Sequence, residues 1–200
     1  MREDKAMIAE NAMADRLKCL ILKVIFCMLG VTGCATMPPE SSTPDLQFEV
    51  LGKIGVRDGE RGYSAQFNWR QYLGAYQIEV WGPLGQGRTR LEGRSESATM
   101  LVWRGDELLG EGAPEQIMMA NLGWSMPVDV LPFWMRGQPH GQIPLVDEVR
   151  DESGRFVEFS QAGWQVEMSR YATLQARTPG RIVARQADRA ITLIVREFLQ

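Results

Sequence analysis

Few side chains in this 200-residue sequence are equipped for bond-making chemistry. His140 is the sole histidine, and it lies in RGQPHGQIP, a polar loop with no second ligand-type residue beside it. A triad or a metal site needs a base, an orienting partner and a nucleophile or ion to converge, and one loop imidazole supplies none of the others. The three cysteines, Cys19, Cys27 and Cys34, all fall near the N-terminus. Asp147, Glu148, Asp151 and Glu152 form an acidic run, DEVRDE. Paired carboxylates can do general acid-base work or hold calcium. Without a glycine-rich loop spacing or a second cluster, these read as the wet side of a strand or turn. With 22 Lys+Arg against 25 Asp+Glu, a net charge of -3 gives no global reason to expect nucleic acid. No metal, nucleotide or other cofactor is implied.

Cys34 has a different chemistry. From Leu17 to Gly33 the chain is mostly apolar, preceded by Arg16 and containing Lys18 and Lys23. That is the layout of a secretory signal peptide, with a basic start and a short apolar stretch. The run is shorter than the roughly 20 residues that span a bilayer, and Lys23 interrupts it, so a retained membrane helix fits less well. Val31-Thr32-Gly33-Cys34 resembles the lipobox of bacterial lipoproteins. The resemblance implies cleavage before Cys34, a diacylglycerol on its sulfur and acylation of its new amino group. Residues 1–12 are polar and atypical ahead of a signal, which makes Met13 a candidate start. Ala35 stands where an Asp would, by the family's sorting rules, retain the protein in the inner membrane; export to the outer membrane is implied instead.

Cleavage would leave residues 34–200 with 17 Lys+Arg and 21 Asp+Glu, and Lys53 as the only lysine. No thiol would remain for a disulfide, although the compartment would permit one. All six Trp and seven of the eleven Met would be kept. Ala35 to Asp45, ATMPPESSTPD, has no apolar periodicity and reads as a flexible tether. The expected organisation is a signal over 1–33, a lipidated N-terminus and tether over 34–45, and one folded domain over 46–200.

The elements of that domain follow from period-two patterning. Phe48, Val50, Ile54 and Val56 share one face, as do Tyr63, Ala65, Phe67 and Trp69, and then Tyr76, Ile78 and Val80. DGERG between the first two runs is a hairpin signal. Further strand-like runs at Gly87–Gly93, Ala98–Trp103, Glu107–Gly110, Val146–Glu152, Arg155–Ser160, Trp164–Tyr171, Arg181–Gln186 and Ala190–Leu199 bring the expectation to about eleven strands. This predicts a mainly β (α+β) fold, one antiparallel sheet curling toward a barrel. Ala113 to Gly137 is the exception. Pro114 suits a first helical turn, Ile117, Met118 and Leu122 form a helical stripe, and Gly123 is a natural stop. Asp129 is positioned to cap a second short helix carrying Leu131 and Trp134 and ending at Gly137. The concave side of the sheet is the large apolar surface on which such helices can bury their faces.

The sequence is similar to the LolB family of outer-membrane lipoprotein receptors. The likeness rests on the lipobox and then, in order, on GKIGVRDGERGYSAQFNW, EVWGPLGQGRTRLEG, LGWSMPVDVLPFWMRGQP and GWQVEMSRYA. It implies an incomplete antiparallel barrel with short helices as a lid over a hydrophobic cavity. It also implies a monomeric, lipid-anchored protein on the periplasmic leaflet of the outer membrane. Its partners would be a LolA-like periplasmic carrier, acylated lipoprotein cargo and outer-membrane lipid. The family usually carries a longer N-terminal helix with a Trp before the first strand; here the first strand follows the tether directly, so one lid element is expected to be reduced.

A cavity for acyl chains needs apolar, deformable walls, because an unpaired polar group facing hydrocarbon costs a kcal/mol or more. The inward candidates are Phe48, Val50, Ile54, Phe67, Trp69, Ile78, Val80, Met100, Met118, Leu122, Leu131, Trp134, Trp164 and Met168. Simple packing into a closed core is the alternative for each. Pro83, Leu84 and Gly85 form a turn that places a large aliphatic side chain where exposure is expected; the resemblance assigns a membrane-targeting role to Leu84. Arg57, Arg61, Arg70, Arg88, Arg90, Arg94 and Arg104 could meet an acidic carrier or lipid phosphates, but Glu92, Glu96 and Asp106 balance them into a solvated face. Two rival functions differ in what they require. A structural or assembly lipoprotein binding a protein partner predicts a filled interior and an exposed apolar patch. A periplasmic hydrolase requires a converging catalytic cluster that the residues above do not supply.

Overall fold

A computed structural model describes residues 45–94 and 97–200. The signal segment, Cys34, the tether up to residue 44 and Glu96 lie outside these residues. Eleven strands form a single antiparallel sheet: β1 (Leu46–Asp58), β2 (Arg61–Tyr72), β3 (Ala75–Trp81), β4 (Thr89–Arg94), β5 (Met100–Arg104), β6 (Glu107–Gly112), β7 (Leu145–Arg150), β8 (Phe156–Gln161), β9 (Trp164–Ser169), β10 (Arg181–Gln186) and β11 (Arg189–Leu199). The spatial order is β6-β5-β4-β3-β2-β1-β11-β10-β9-β8-β7. Two meanders therefore meet where the first strand pairs with the last. β6 and β7 are the two ends of the order, which leaves the barrel incomplete, as the family resemblance implied.

The local rules are visible in the register. Asp58 pairs with Arg61 across a two-residue turn whose Gly59 has φ 57, so Arg61 and Gly62 of the predicted turn belong to β2. Alternation along β1 and β3 buries Phe48, Val50, Ile54 and Val56, and Tyr76, Ile78 and Val80. Gly52 sits opposite Phe67, whose ring fills the space that a side chain at 52 would need, and the Ile194 carbonyl closes the same space. Phe67 thereby covers the β1 backbone where β11 bulges against it at Arg196, a common way of curving a sheet without exposing it. β7 ends two residues earlier than the pattern suggests, because Asp151 turns back: its carboxylate accepts from the Ser153 and Arg155 amides at 2.9 and 3.1 Å.

The connection from β6 to β7 joins the two open edges and carries α1 (Pro114–Leu122) and α2 (Leu131–Met135). Gly123 ends α1 with φ 78, its amide donating to the Met119 carbonyl. Asp129 does not cap α2. The residue before the helix is Val130, without a side-chain cap, and the chain winds into α2 through a turn in which the Val130 and Leu131 amides donate to the Pro127 carbonyl. The Pro127 carbonyl already accepts the amides that an Asp129 carboxylate would have served. α2 ends on Gly137 with φ 74; Gly137 and Gln138 donate to the Trp134 and Phe133 carbonyls, the paired bonds of a Schellman ending. A side chain at 137 would also meet the Arg177 carbonyl.

Candidate functional site

The inward face of the sheet and the β6–β7 connection share one apolar cluster. Of the fourteen side chains predicted to line a cavity, thirteen are buried in that cluster and Leu122 packs against it half-buried. Sheet residues Val50, Ile54, Phe67, Trp69, Ile78, Val80, Met100, Trp164 and Met168 meet Met118 of α1 and Leu131 and Trp134 of α2. Trp124, Met126, Val128 and Val130 are buried as well, although they belong to neither helix nor strand. The available signal was the recurrence of apolar residues at every second position of WSMPVDV, although Ser125 is buried as well and residues 128–130 turn rather than run extended. Together, residues 114–135 form a lid whose apolar side chains and those of the sheet are packed against one another.

Two polar fastenings hold this lid. Gln161, 2% exposed, lies at an inward position of β8 and uses its whole amide. Its oxygen accepts from the Trp134 indole at 3.2 Å and from the His140 amide at 2.8 Å, and its nitrogen donates to the His140 and Ile143 carbonyls at 2.9 and 3.0 Å. At the start of β11, Arg189 donates to Ser125 at 2.7 Å and to Glu115 at 2.9 Å, with its guanidinium 5.6 Å from the Trp164 ring. A polar residue at an inward strand position, where alternation demands an apolar one, was the sequence signal for Gln161.

A crevice of about 280 Å³ opens between α2 and the ends of β1, β2 and β3. Phe48, Tyr76, Val128, Pro132 and Phe133 give it apolar walls, and Asp129, Arg136 and His140 stand at its border. Burial, reinforced by the Asp129 charge, pushes the Tyr76 hydroxyl up to about 12. Leu73, in the β2–β3 turn, is 75% exposed at the rim of the same crevice.

The most exposed large apolar side chain among the described residues lies in the β3–β4 loop. Leu84 is 96% exposed and adopts φ 60, ψ 19. The loop is braced by Gly82 and Gln86, whose amide and carbonyl meet at 2.8 Å. Left-handed backbone at a residue with a side chain costs roughly 1–2 kcal/mol, so the turn holds this leucine outward against both solvation and backbone preference.

Three of the seven predicted arginines pair with carboxylates among the described residues: Arg70 with Glu49 at 2.9 Å, Arg90 with Glu92 at 2.9 Å, and Arg88 with Glu79 while also stacking 4.4 Å above Trp81. In the acidic run, Glu148 lies 3.6 Å from Arg150 and Asp151 binds Arg155 at 2.6 Å. That guanidinium, with the turn amides, holds the Asp151 carboxyl below its ordinary 3.8. Among the described residues no three His, Cys, Asp or Glu side chains come together as metal ligands.

Residues 46–198 match the family described as "Outer membrane lipoprotein LolB". The outer-membrane lipoprotein LolB of Cellvibrio japonicus is 30% identical over 199 residues, covering 92% of this chain and 97% of that protein. Its counterpart in Stutzerimonas stutzeri is 34% identical over 157 residues, covering 76% of this chain and 73% of its own. A crystal structure of a LolA superfamily protein from Nitrosomonas europaea superposes with a TM-score of 0.45 at 11% identity, over 78% of this chain and 86% of the other. With a family match spanning the entire sheet and its lid, the chain belongs to the LolB family of outer-membrane lipoproteins.

Proposed function

We propose that this protein is the outer-membrane receptor that accepts acylated lipoproteins from a LolA-like periplasmic carrier and inserts them into the outer membrane. The transfer makes and breaks no covalent bond. Cys34 carries the lipid that ties the domain to the periplasmic leaflet, and the monomeric domain works from its tether. Cargo acyl chains replace the lid side chains against the inner face formed by Phe48, Val50, Ile54, Phe67, Trp69, Ile78, Val80, Met100, Trp164 and Met168, while Met118, Leu122, Leu131 and Trp134 move with the lid.

The observation that carries this reading is the lid itself, an apolar segment bridging two unpaired sheet edges and packed on the concave face. Burial of Met118, Trp124, Met126, Val128, Val130, Leu131, Trp134 and Met135 contributes roughly 1.5–3 kcal/mol each, or about 12–24 kcal/mol together. An acyl chain of about fifteen methylenes gains about 12 kcal/mol on leaving water. One chain matches only the low end of that range, whereas a cargo with two or more chains offsets the whole lid. Leu84 would enter the bilayer, worth roughly 1.5–3 kcal/mol, which is too little for anchoring but enough to turn the domain toward the membrane.

The test is incubation of a soluble form lacking the lipid anchor with carrier loaded with labelled lipoprotein. Transfer of label to the soluble form supports the receptor; no transfer at any salt concentration refutes it. The packed interior and the exposed Val146 and Val149 on edge strand β7 favour one second reading, a structural lipoprotein that engages a protein partner along that edge. That reading predicts no cargo transfer.

A further inference from the structure

We infer that the solvent face of the sheet, opposite the lid, is a docking surface for anionic phospholipid phosphates, built from Lys53, Arg57, Arg181 and Arg185. The inference rests on the reading that the domain works at a bilayer surface. Register fixes the geometry. Lys53 pairs with Ile194, which pairs with Arg181 on its other side. Four residues along, Arg57 pairs with Ala190, which pairs with Arg185. Directly opposed residues share a face, and residues four apart on a strand share it too. The four cations therefore mark the corners of a rectangle about 10 Å across two strand spacings and about 13 Å along the strands.

Between the two rows lie Gly55, Thr192 and Val183, again direct partners. Small side chains there leave a recess of about 470 Å³ lined by Arg57, Arg181 and Arg185. Arg185 is held by Glu167 at 2.7 Å. Lys53, Arg57 and Arg181 take part in none of the ion pairs formed among the described residues. This is the arrangement in which guanidinium groups take phosphate oxygens.

Two observations select a lipid surface over an acidic protein. Stable protein interfaces centre on buried aromatic or aliphatic anchors, and none of the exposed large apolar side chains of the described residues lies within the rectangle. Leu84 is also close by in register: Trp81, the last residue of β3, pairs with Gln66, and Gln66 pairs with Lys53. The loop bearing the exposed leucine thus leaves the sheet from the row that contains Lys53 and Arg181, so cations and apolar tip can meet one bilayer together.

The test places the lipidated protein in vesicles, with a fluorophore on Ser64→Cys, an exposed position lining the recess, and an acceptor on the lipid head groups. Energy transfer is expected to rise when phosphatidylglycerol replaces phosphatidylcholine and to fall with salt. Lys53→Gln with Arg181→Gln, which removes two cations without adding repulsion, should lower the ratio of surface-held to free domains about thirtyfold. Lys53→Glu with Arg181→Glu, which adds repulsion, should lower it further. Equal transfer in neutral vesicles, or no change in either double variant, overturns the proposal. So does a variant that loses binding to an acidic protein while keeping its vesicle signal. Cargo uptake in solution uses the opposite face and should survive both variants; failure of uptake in the parent protein would refute the receptor reading and leave the energy-transfer result standing.

Discussion

Trp134 of the lid donates its indole N–H to Gln161 of the sheet at 3.2 Å, and both side chains are buried. A buried amide that meets four partners fixes the lid in one place, because every partner would be left unsatisfied if the lid shifted by a residue. Gln161→Leu is expected to destabilise the fold by roughly 2–4 kcal/mol, the cost of orphaning two donors and two acceptors whose neighbours partly readjust. Trp134→Phe, which removes a single donor and keeps most of the ring, should cost about 1–2 kcal/mol. Urea unfolding checks both, and amide exchange over residues 131–143 should accelerate in Gln161→Leu before the sheet opens.

Leu84 separates function from stability. Leu84→Gly removes the backbone strain at φ 60 and is expected to leave stability unchanged or raise it by about 1 kcal/mol. Insertion of cargo into vesicles should nevertheless fall, because the side chain that enters lipid is gone. Leu84→Glu should keep cargo acceptance and lose insertion. A parallel loss of both steps in Leu84→Glu would sink the membrane-contact role.

Gly137 is a stability determinant of the lid rather than a spacer. An alanine there would have φ 74 and would press on the Arg177 carbonyl. Gly137→Ala should cost roughly 2–3 kcal/mol in urea unfolding, more than strain alone, and the loss should persist in the absence of cargo.

Asp151 makes stability depend on acid. Its carboxyl is held below 3.8 by Arg155 and the turn amides, so its contribution is complete above that value and is lost as pH falls through the lower folded one. Asp151→Asn should therefore flatten the acid limb of a stability–pH profile below about pH 4 while changing little of its shape near neutrality. An unchanged acid limb would show that the Arg155 pairing contributes nothing to the β7–β8 turn.

Period-two alternation made the sheet legible in the sequence: Phe48, Val50, Ile54, Phe67, Trp69, Ile78 and Val80 all point inward, and the strand count follows from their spacing. Helix punctuation by Pro114, Gly123 and Gly137 was legible for the same reason, since each residue has few other uses. The lid's irregular centre, Trp124 to Val130, was not, because strand-like alternation without a pairing partner resembles neither element. Gln161 lies one residue past the predicted strand end at Ser160 and its partners are distant along the chain, so its inward position was only weakly legible. The Lys53–Arg181 and Arg57–Arg185 rows depend on register across three strands, which local patterning does not carry. Leu84 was expected at a turn, but its left-handed backbone is a tertiary detail.

The most direct test of the account uses cargo whose acyl chains carry a photoreactive diazirine. After transfer from carrier to receptor and brief irradiation, peptide mapping should place adducts on the inner face, at Phe48, Trp69, Met100 or Met168, and on Met118 or Trp134 of the lid. Adducts confined to the outer face or to edge strand β7, or their absence from the inner face despite stable cargo binding, would contradict the claim that acyl chains replace the lid against the sheet.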